Sequence, residues 1–145
     1  MSERCDYAAL APGGLDAMRG LAAYADASDL EPRLRYLVEL RISQINGCAY
    51  CVDLHYREAL EAGETPRRLN GLVVWREAPF FEARERAAFA WAEAVTLVAE
   101  GQVPDEVYRE ARLHFSEKEL VDLTYVVIAM NAWNRLAVSF RQLPT

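Results

Sequence analysis

The stretch Leu34-Arg35-Tyr36-Leu37-Val38-Glu39-Leu40-Arg41-Ile42-Ser43-Gln44-Ile45-Asn46-Gly47-Cys48-Ala49-Tyr50-Cys51-Val52-Asp53-Leu54-His55 decides how this chain is read. Leu34, Leu37, Val38, Arg41, Ile42 and Ile45 recur at helical spacing, so its first half is a helix with one continuous stripe. Asn46-Gly47 then interrupts it, a strong break signal. A second helix starts near Cys48 and runs to about Ala62, with Gly63 as its stop. Upstream, Asp29 is the candidate N-cap of the first helix, and Pro32 suits an opening turn.

Working outward, Pro12, Gly13 and Gly14 punctuate a loose N-terminal arm of about residues 1–14. A helix follows from about Leu15 to Tyr24, with Leu15, Met18, Leu21 and Ala22 on one face. Thr65-Pro66 reads as an N-cap and first residue of a short helix reaching Val74. Trp75 to Phe81, broken by Pro79, reads as a loop. Glu82 to Ala99 is amphipathic through Ala87, Ala88, Trp91, Val95 and Val98, and Gly101 ends it. Pro104 opens a helix to about His114, whose histidine is expected to help cap it. Ser116 and Glu119 form a capping box that starts a final helix from Glu117 to Phe140. That helix is apolar on most sides between Leu123 and Met130, which predicts burial on more than one face, in the domain centre or at a subunit interface. With no alternating strand pattern, repeat or linker, the expectation is an all-α, compact, single-domain bundle over residues 1–145, of about six to seven helices.

Composition narrows the function. The 145 residues are 52% hydrophobic and 26% charged, which supports a packed core. Sixteen basic residues face 22 acidic ones, a net charge of −6, so neither a nucleic-acid partner nor an anionic membrane surface is expected. The longest apolar run, Tyr125 to Met130, is far shorter than the roughly 20 residues a bilayer span needs. Met1 to Leu10 carries charges and no apolar core, so a cytoplasmic location is expected. In that compartment a close cysteine pair reads as redox-active or metal-binding rather than as a structural staple.

Cys48 and Cys51 stand three residues apart, and His55 four beyond Cys51, so two sulfurs and an imidazole share one helix face. The β-carbons of such a cysteine pair are roughly 5–6 Å apart on a regular helix, and a small adjustment in the first turn permits a disulfide. Unpaired N–H groups and the positive dipole end at that turn favour thiolate, the form that attacks a peroxide oxygen or a disulfide sulfur. His55 can accept or relay a proton near neutral pH. Glu39, nine residues before Cys48, could orient His55 if the two helices pack antiparallel. The helix dipole favours Cys48 as the attacking thiol, whereas proximity to His55 favours Cys51. Competing readings are a zinc site using Cys48, Cys51 and His55, which lacks an evident fourth ligand, and a buried, inert cysteine pair. Cys5 in the arm is read as incidental.

The run from Glu39 to His55, with its Asn-Gly-Cys-x-x-Cys-x-x-x-His pattern, resembles the alkylhydroperoxidase D (AhpD) family of the carboxymuconolactone decarboxylase superfamily. Phe81 to Ala94, Phe115 to Leu120 and Asn131-Ala-Trp-Asn-Arg135 are similar to its shorter peroxidase-related members, so the likeness covers roughly residues 30 to 142. The resemblance implies an all-helical homo-oligomer, a trimer or hexamer, that reduces hydroperoxides through the cysteine pair. It assigns Cys51 as the attacking cysteine, Cys48 as the resolving cysteine and His55 as the proton relay. The relay glutamate of better-known members falls twelve residues before the first cysteine, where Tyr36 stands here, and Glu39 lies one turn later. A histidine found between the cysteines of some members is Tyr50 here. Decarboxylase members lack the pair, so decarboxylation does not fit.

The expected function is thus a thiol-dependent peroxidase acting on organic hydroperoxides or hydrogen peroxide in antioxidant defence. Its partners would be a peroxide and an external thiol or disulfide-reducing protein, with no cofactor and no metal. Two alternatives belong to other classes: a protein disulfide oxidoreductase or redox sensor, and a non-catalytic oligomeric scaffold. Asn131, Trp133, Asn134 and Arg135 are expected to make polar contacts near the site or across an interface, or simply to pack.

Overall fold

The computed structural model describes residues 2–145, and among these there is no strand. The elements in order are α1 (Tyr7–Leu10), α2 (Pro12–Asp26), α3 (Pro32–Asn46), α4 (Ala49–Glu61), α5 (Pro66–Gly71), a 3₁₀ turn (Leu72–Val74), α6 (Ala83–Thr96), α7 (Val98–Gly101), α8 (Asp105–His114) and α9 (Glu117–Phe140). The all-helical class stands as expected. The two helices beyond the expected count are both four residues long.

One of them corrects the loose arm. Asp6 caps α1 by accepting from the Ala9 N–H at 3.0 Å, and α2 then starts at Pro12, whose fixed φ suits a first helical position, rather than at Leu15. The other arises because the expected Glu82–Ala99 helix breaks at Leu97, leaving α7 as a separate turn. Asp29 does not cap α3 either. Glu31 occupies the N-cap with no side-chain hydrogen bond, directly before Pro32. Pro104 likewise sits at the N-cap of α8 rather than inside it. His114 is not a cap: its ring pairs with Glu110 at 3.2 Å, and its carbonyl accepts from Arg84.

α3 and α9 form the centre. α3 packs on α4, α6 and α9, and α2 lies along α9. Leu37, Val38, Ile42, Phe89, Leu123 and Val127 are fully buried there. Truncating one of the leucines to alanine costs about 2–5 kcal/mol by the usual sum of transfer and cavity terms. α9 is buried on more than one face, as its composition requires, yet leaves Val121, Tyr125 and Ile128 exposed on a third. Its start is fixed by the capping box: Ser116 Oγ accepts from the Glu119 N–H at 3.1 Å, and Glu119 accepts from the Ser116 N–H at 2.7 Å. Among the described residues no helix is long and apolar enough to cross a membrane.

Candidate functional site

The site is built on the turn between α3 and α4. Gly47 is left-handed, with φ 67° and ψ 33°. Its N–H donates to the Gln44 carbonyl at 3.3 Å, and the Cys48 N–H donates to the Ser43 carbonyl at 3.0 Å. This Schellman pair closes α3 and delivers the next residue directly as the N-cap of α4. That residue is Cys48, in extended backbone, with its Sγ accepting from the Cys51 N–H at 3.3 Å. The two cysteines are therefore N-cap and third helical residue, joined as a disulfide with Cα atoms 5.3 Å apart. Because Cys48 steps off the helix, the sulfurs meet without distortion of the helix itself.

The turn is anchored from below by α9. Asn46 Nδ2 donates to Asn131 Oδ1 at 3.0 Å and to Asn134 Oδ1 at 2.9 Å. Buried Asn134 donates in turn to Ser43 Oγ at 3.1 Å, and Asn131 to Thr96 Oγ1 at 3.0 Å. The asparagines of α9 thus serve the cysteine turn, Trp133 lines the adjoining cavity, and Arg135 is exposed with bonds only to Asn131.

His55 lies one turn beyond Cys51 and is buried. Its Nδ1 is 3.4 Å from Glu39 Oε2, so the folding of α3 against α4 does bring Glu39 to the imidazole. It is 2.8 Å from Glu58 Oε2, a contact the sequence reading missed. The missing signal was an acid three residues after His55, on the same helix face. Glu39 is only 13% exposed, and this burial pushes its carboxyl above the ordinary carboxylate range; His55 and Arg35 oppose the rise, and Glu58 adds to it. One ligand-type atom from each of Glu39, His55 and Glu58 lies within 4.8 Å of the others, the spacing of a cation site. Both carboxylates face the same ring nitrogen, Nδ1. With Cys48 and Cys51 bonded to each other, neither sulfur is a thiolate ligand in this oxidised state.

A cavity of about 470 Å³ opens onto these groups. Cys51, His55, Glu39 and Glu58 line it, and Cys48 does not. Tyr36, Tyr50, Trp133, Leu54 and Met130 supply an aromatic and aliphatic wall. Arg35, paired with Asp26 and stacked on Tyr36, adds a guanidinium. Tyr7 of α1 reaches the rim and donates to Gln142 at 2.8 Å, tying the two ends of the chain over the opening. Cys5 is an unpaired thiol in a separate, largely apolar hollow with Leu10, Met18 and Phe140.

Fold and site together define a helical protein with a dithiol–disulfide pair at a helix start beside a histidine–carboxylate cluster. The profile of the carboxymuconolactone decarboxylase family matches residues 4–94, more than half of the chain. A solved protein of unknown function from Agrobacterium tumefaciens, ATU0492, suggested to be the antioxidant defence protein AhpD, superposes with a TM-score of 0.97 at 41% identity over 99% of each chain. The uncharacterised protein YdfG of Bacillus subtilis (strain 168) is 37% identical over 139 residues, 96% of this chain and 95% of its own. The debrominase Bmp8 shares the fold at a TM-score of 0.82, with 20% identity over 92% of this chain and 72% of that one. The chain belongs to the carboxymuconolactone decarboxylase family and is AhpD-like within it.

Proposed function

We propose that the protein is a thiol-dependent peroxidase, in which Cys51 attacks and Cys48 resolves. One observation carries this reading: of the two sulfur residues, Cys51 alone lines the cavity that also holds His55, Glu39 and Glu58. A molecule entering the cavity meets one cysteine beside a base. Both cysteines are otherwise sealed, at 2% and 3% exposure, which favours a small oxidant over a folded protein substrate docking on the pair.

Reduced Cys51 gives its proton to His55, and the thiolate attacks the terminal oxygen of the hydroperoxide. An S–O bond forms, the O–O bond breaks, and the alkoxide takes a proton and leaves as alcohol. Cys48 displaces hydroxide from the resulting sulfenic acid, giving the disulfide and water. An external dithiol restores both cysteines, attacking through the same cavity. The wall of Tyr36, Tyr50 and Trp133 suits organic hydroperoxides, and a role in antioxidant defence follows from that chemistry. The exposed stripe of Val121, Tyr125 and Ile128 suits assembly with further copies.

Stopped-flow oxidation by cumene hydroperoxide tests the assignment. Cys48→Ser should oxidise once to a sulfenic acid trapped by dimedone, and Cys51→Ser should not react. The opposite pattern exchanges the two roles, and no reaction in either variant or in the wild type removes the peroxidase.

A further inference from the structure

Two carboxylates crowd one nitrogen of His55, and they are not equivalent. Glu58 is on the same helix, 2.8 Å from Nδ1 and hydrogen-bonded to it, with 35% of its side chain in solvent. Glu39 comes from α3, is 3.4 Å from Nδ1, beyond a good N–H···O length, and is nearly enclosed. Arg35 is one turn from Glu39 on α3, and Asp26 at the end of α2 neutralises it. No other cation than Arg35 opposes Glu39's burial besides His55 itself among the charges that act on it.

We infer that the two acids hold different posts: Glu58 is the positioning residue that takes the Nδ1–H and turns Nε2 toward Cys51, while Glu39 holds the proton that the departing oxygen receives. This rests on the peroxidase reading for Glu39 but not for Glu58, whose effect on the imidazole exists with or without a peroxide.

The geometry supports the division. An imidazole has one N–H in its neutral form, and the acceptor with the shorter, charged contact fixes which nitrogen carries it. Glu58, at 2.8 Å the nearer of the two acceptors, suits that post. Glu39, whose burial favours the protonated acid, makes a poor acceptor from Nδ1 and a good donor into the cavity it lines. The protons balance. The Cys51 thiol gives its proton to His55 Nε2, sulfur forms the bond to the terminal oxygen, and Glu39 protonates the alkoxide as the O–O bond breaks. What remains is an imidazolium in 3.4 Å contact with a carboxylate, a pair that one proton shift discharges. Two carboxyls in different surroundings thereby run base and acid chemistry at one pH.

The experiment compares wild type, Glu58→Gln and Glu39→Gln by ring-nitrogen NMR of His55 and by rapid oxidation of Cys51. Two oxidants are used: cumene hydroperoxide, whose strongly basic alkoxide needs a proton, and peracetic acid, whose leaving acetate, a weak base, does not. Glu58→Gln should abolish the Nδ1–H preference of His55 and slow both oxidants roughly ten- to a hundredfold. Glu39→Gln should leave the tautomer in place, slow cumene hydroperoxide to a similar extent and spare peracetic acid. An unchanged tautomer in Glu58→Gln, or a tautomer lost only in Glu39→Gln, overturns the positioning role. Equal slowing of both oxidants by Glu39→Gln overturns the proton-donor role. A wild-type Cys51 inert to both oxidants would instead overturn the peroxidase reading, with the tautomer result still deciding the post of Glu58.

Discussion

Replacing Gly47 by alanine isolates the backbone geometry on which the cysteine pair depends. The residue sits at φ 67°, and a Cβ built there meets nothing within 4 Å, so crowding contributes nothing and the whole cost is the left-handed backbone. That cost is about 1–2 kcal/mol for a residue with a Cβ. In a chain of this size it lowers the midpoint of thermal unfolding by about 3–8 °C. Asparagine tolerates the same conformation better, so Gly47→Asn should recover much of the loss. Circular dichroism melts of the three proteins, in oxidised and fully reduced form, give the comparison. A Gly47→Ala midpoint within about 1 °C of wild type, or a Gly47→Asn loss as large as that of alanine, would refute the claim that left-handed geometry, and not the mere presence of glycine, holds the turn.

Other outcomes follow from the same structure. Asn134→Ala removes one of the two acceptors of Asn46 and the donor to Ser43 in a fully buried setting, and should cost about 1–3 kcal/mol in urea unfolding and loosen protection of the Cys48 amide in hydrogen exchange. Glu39→Gln should raise thermal stability at pH 7 to 8: a carboxyl whose folded pKa lies above its unfolded value binds more protons when folded, so wild-type stability falls as pH rises from the unfolded pKa near 4.3 towards the raised folded one, and the amide removes the loss. Glu64 is the opposite case. Burial would raise its pKa, but hydrogen bonds from Arg68 and Arg33 outweigh it and hold the carboxyl below its usual value, so its contribution is present above the unfolded pKa near 4.3 and disappears as pH falls through the folded one. Acid titration of Glu64→Gln should show a shallower stability loss in that window than wild type.

Much of this fold was legible because its decisive signals are local. Gly47 needed left-handed backbone, and the turn is where Asn46-Gly47 put it. Ser116 and Glu119 satisfy each other's backbone, and α9 keeps the limits they imply. The spacing of Cys51 and His55 brings both to one cavity, while Cys48 stands off the helix as its N-cap and meets Cys51 through the disulfide. What escaped depended on competition or on distant partners. Asp29 and Glu31 both precede Pro32, and composition does not say which becomes the boundary. The break at Leu97 leaves no glycine or proline behind as a mark. Of the acids following Cys51 on α4, namely Asp53, Glu58 and Glu61, Glu58 meets the imidazole because it stands three residues beyond it on the same helix face, whereas Asp53 pairs with Arg57. Arg35 and Trp133 reach the cavity through packing between α2, α3 and α9, which no short window of sequence contains.

The placement of Cys51, and not Cys48, on the cavity also sorts collisions. In a protein turning over peroxide, each incoming oxidant would find one sulfur and miss the other, while an oxidised Cys51 would have a thiol waiting within its own helical turn. Internal capture would then outrun a second encounter, and the climb to sulfinic acid would be slow. Such a bundle would keep cycling through a surge of oxidant that disables enzymes whose second thiol must travel to the first.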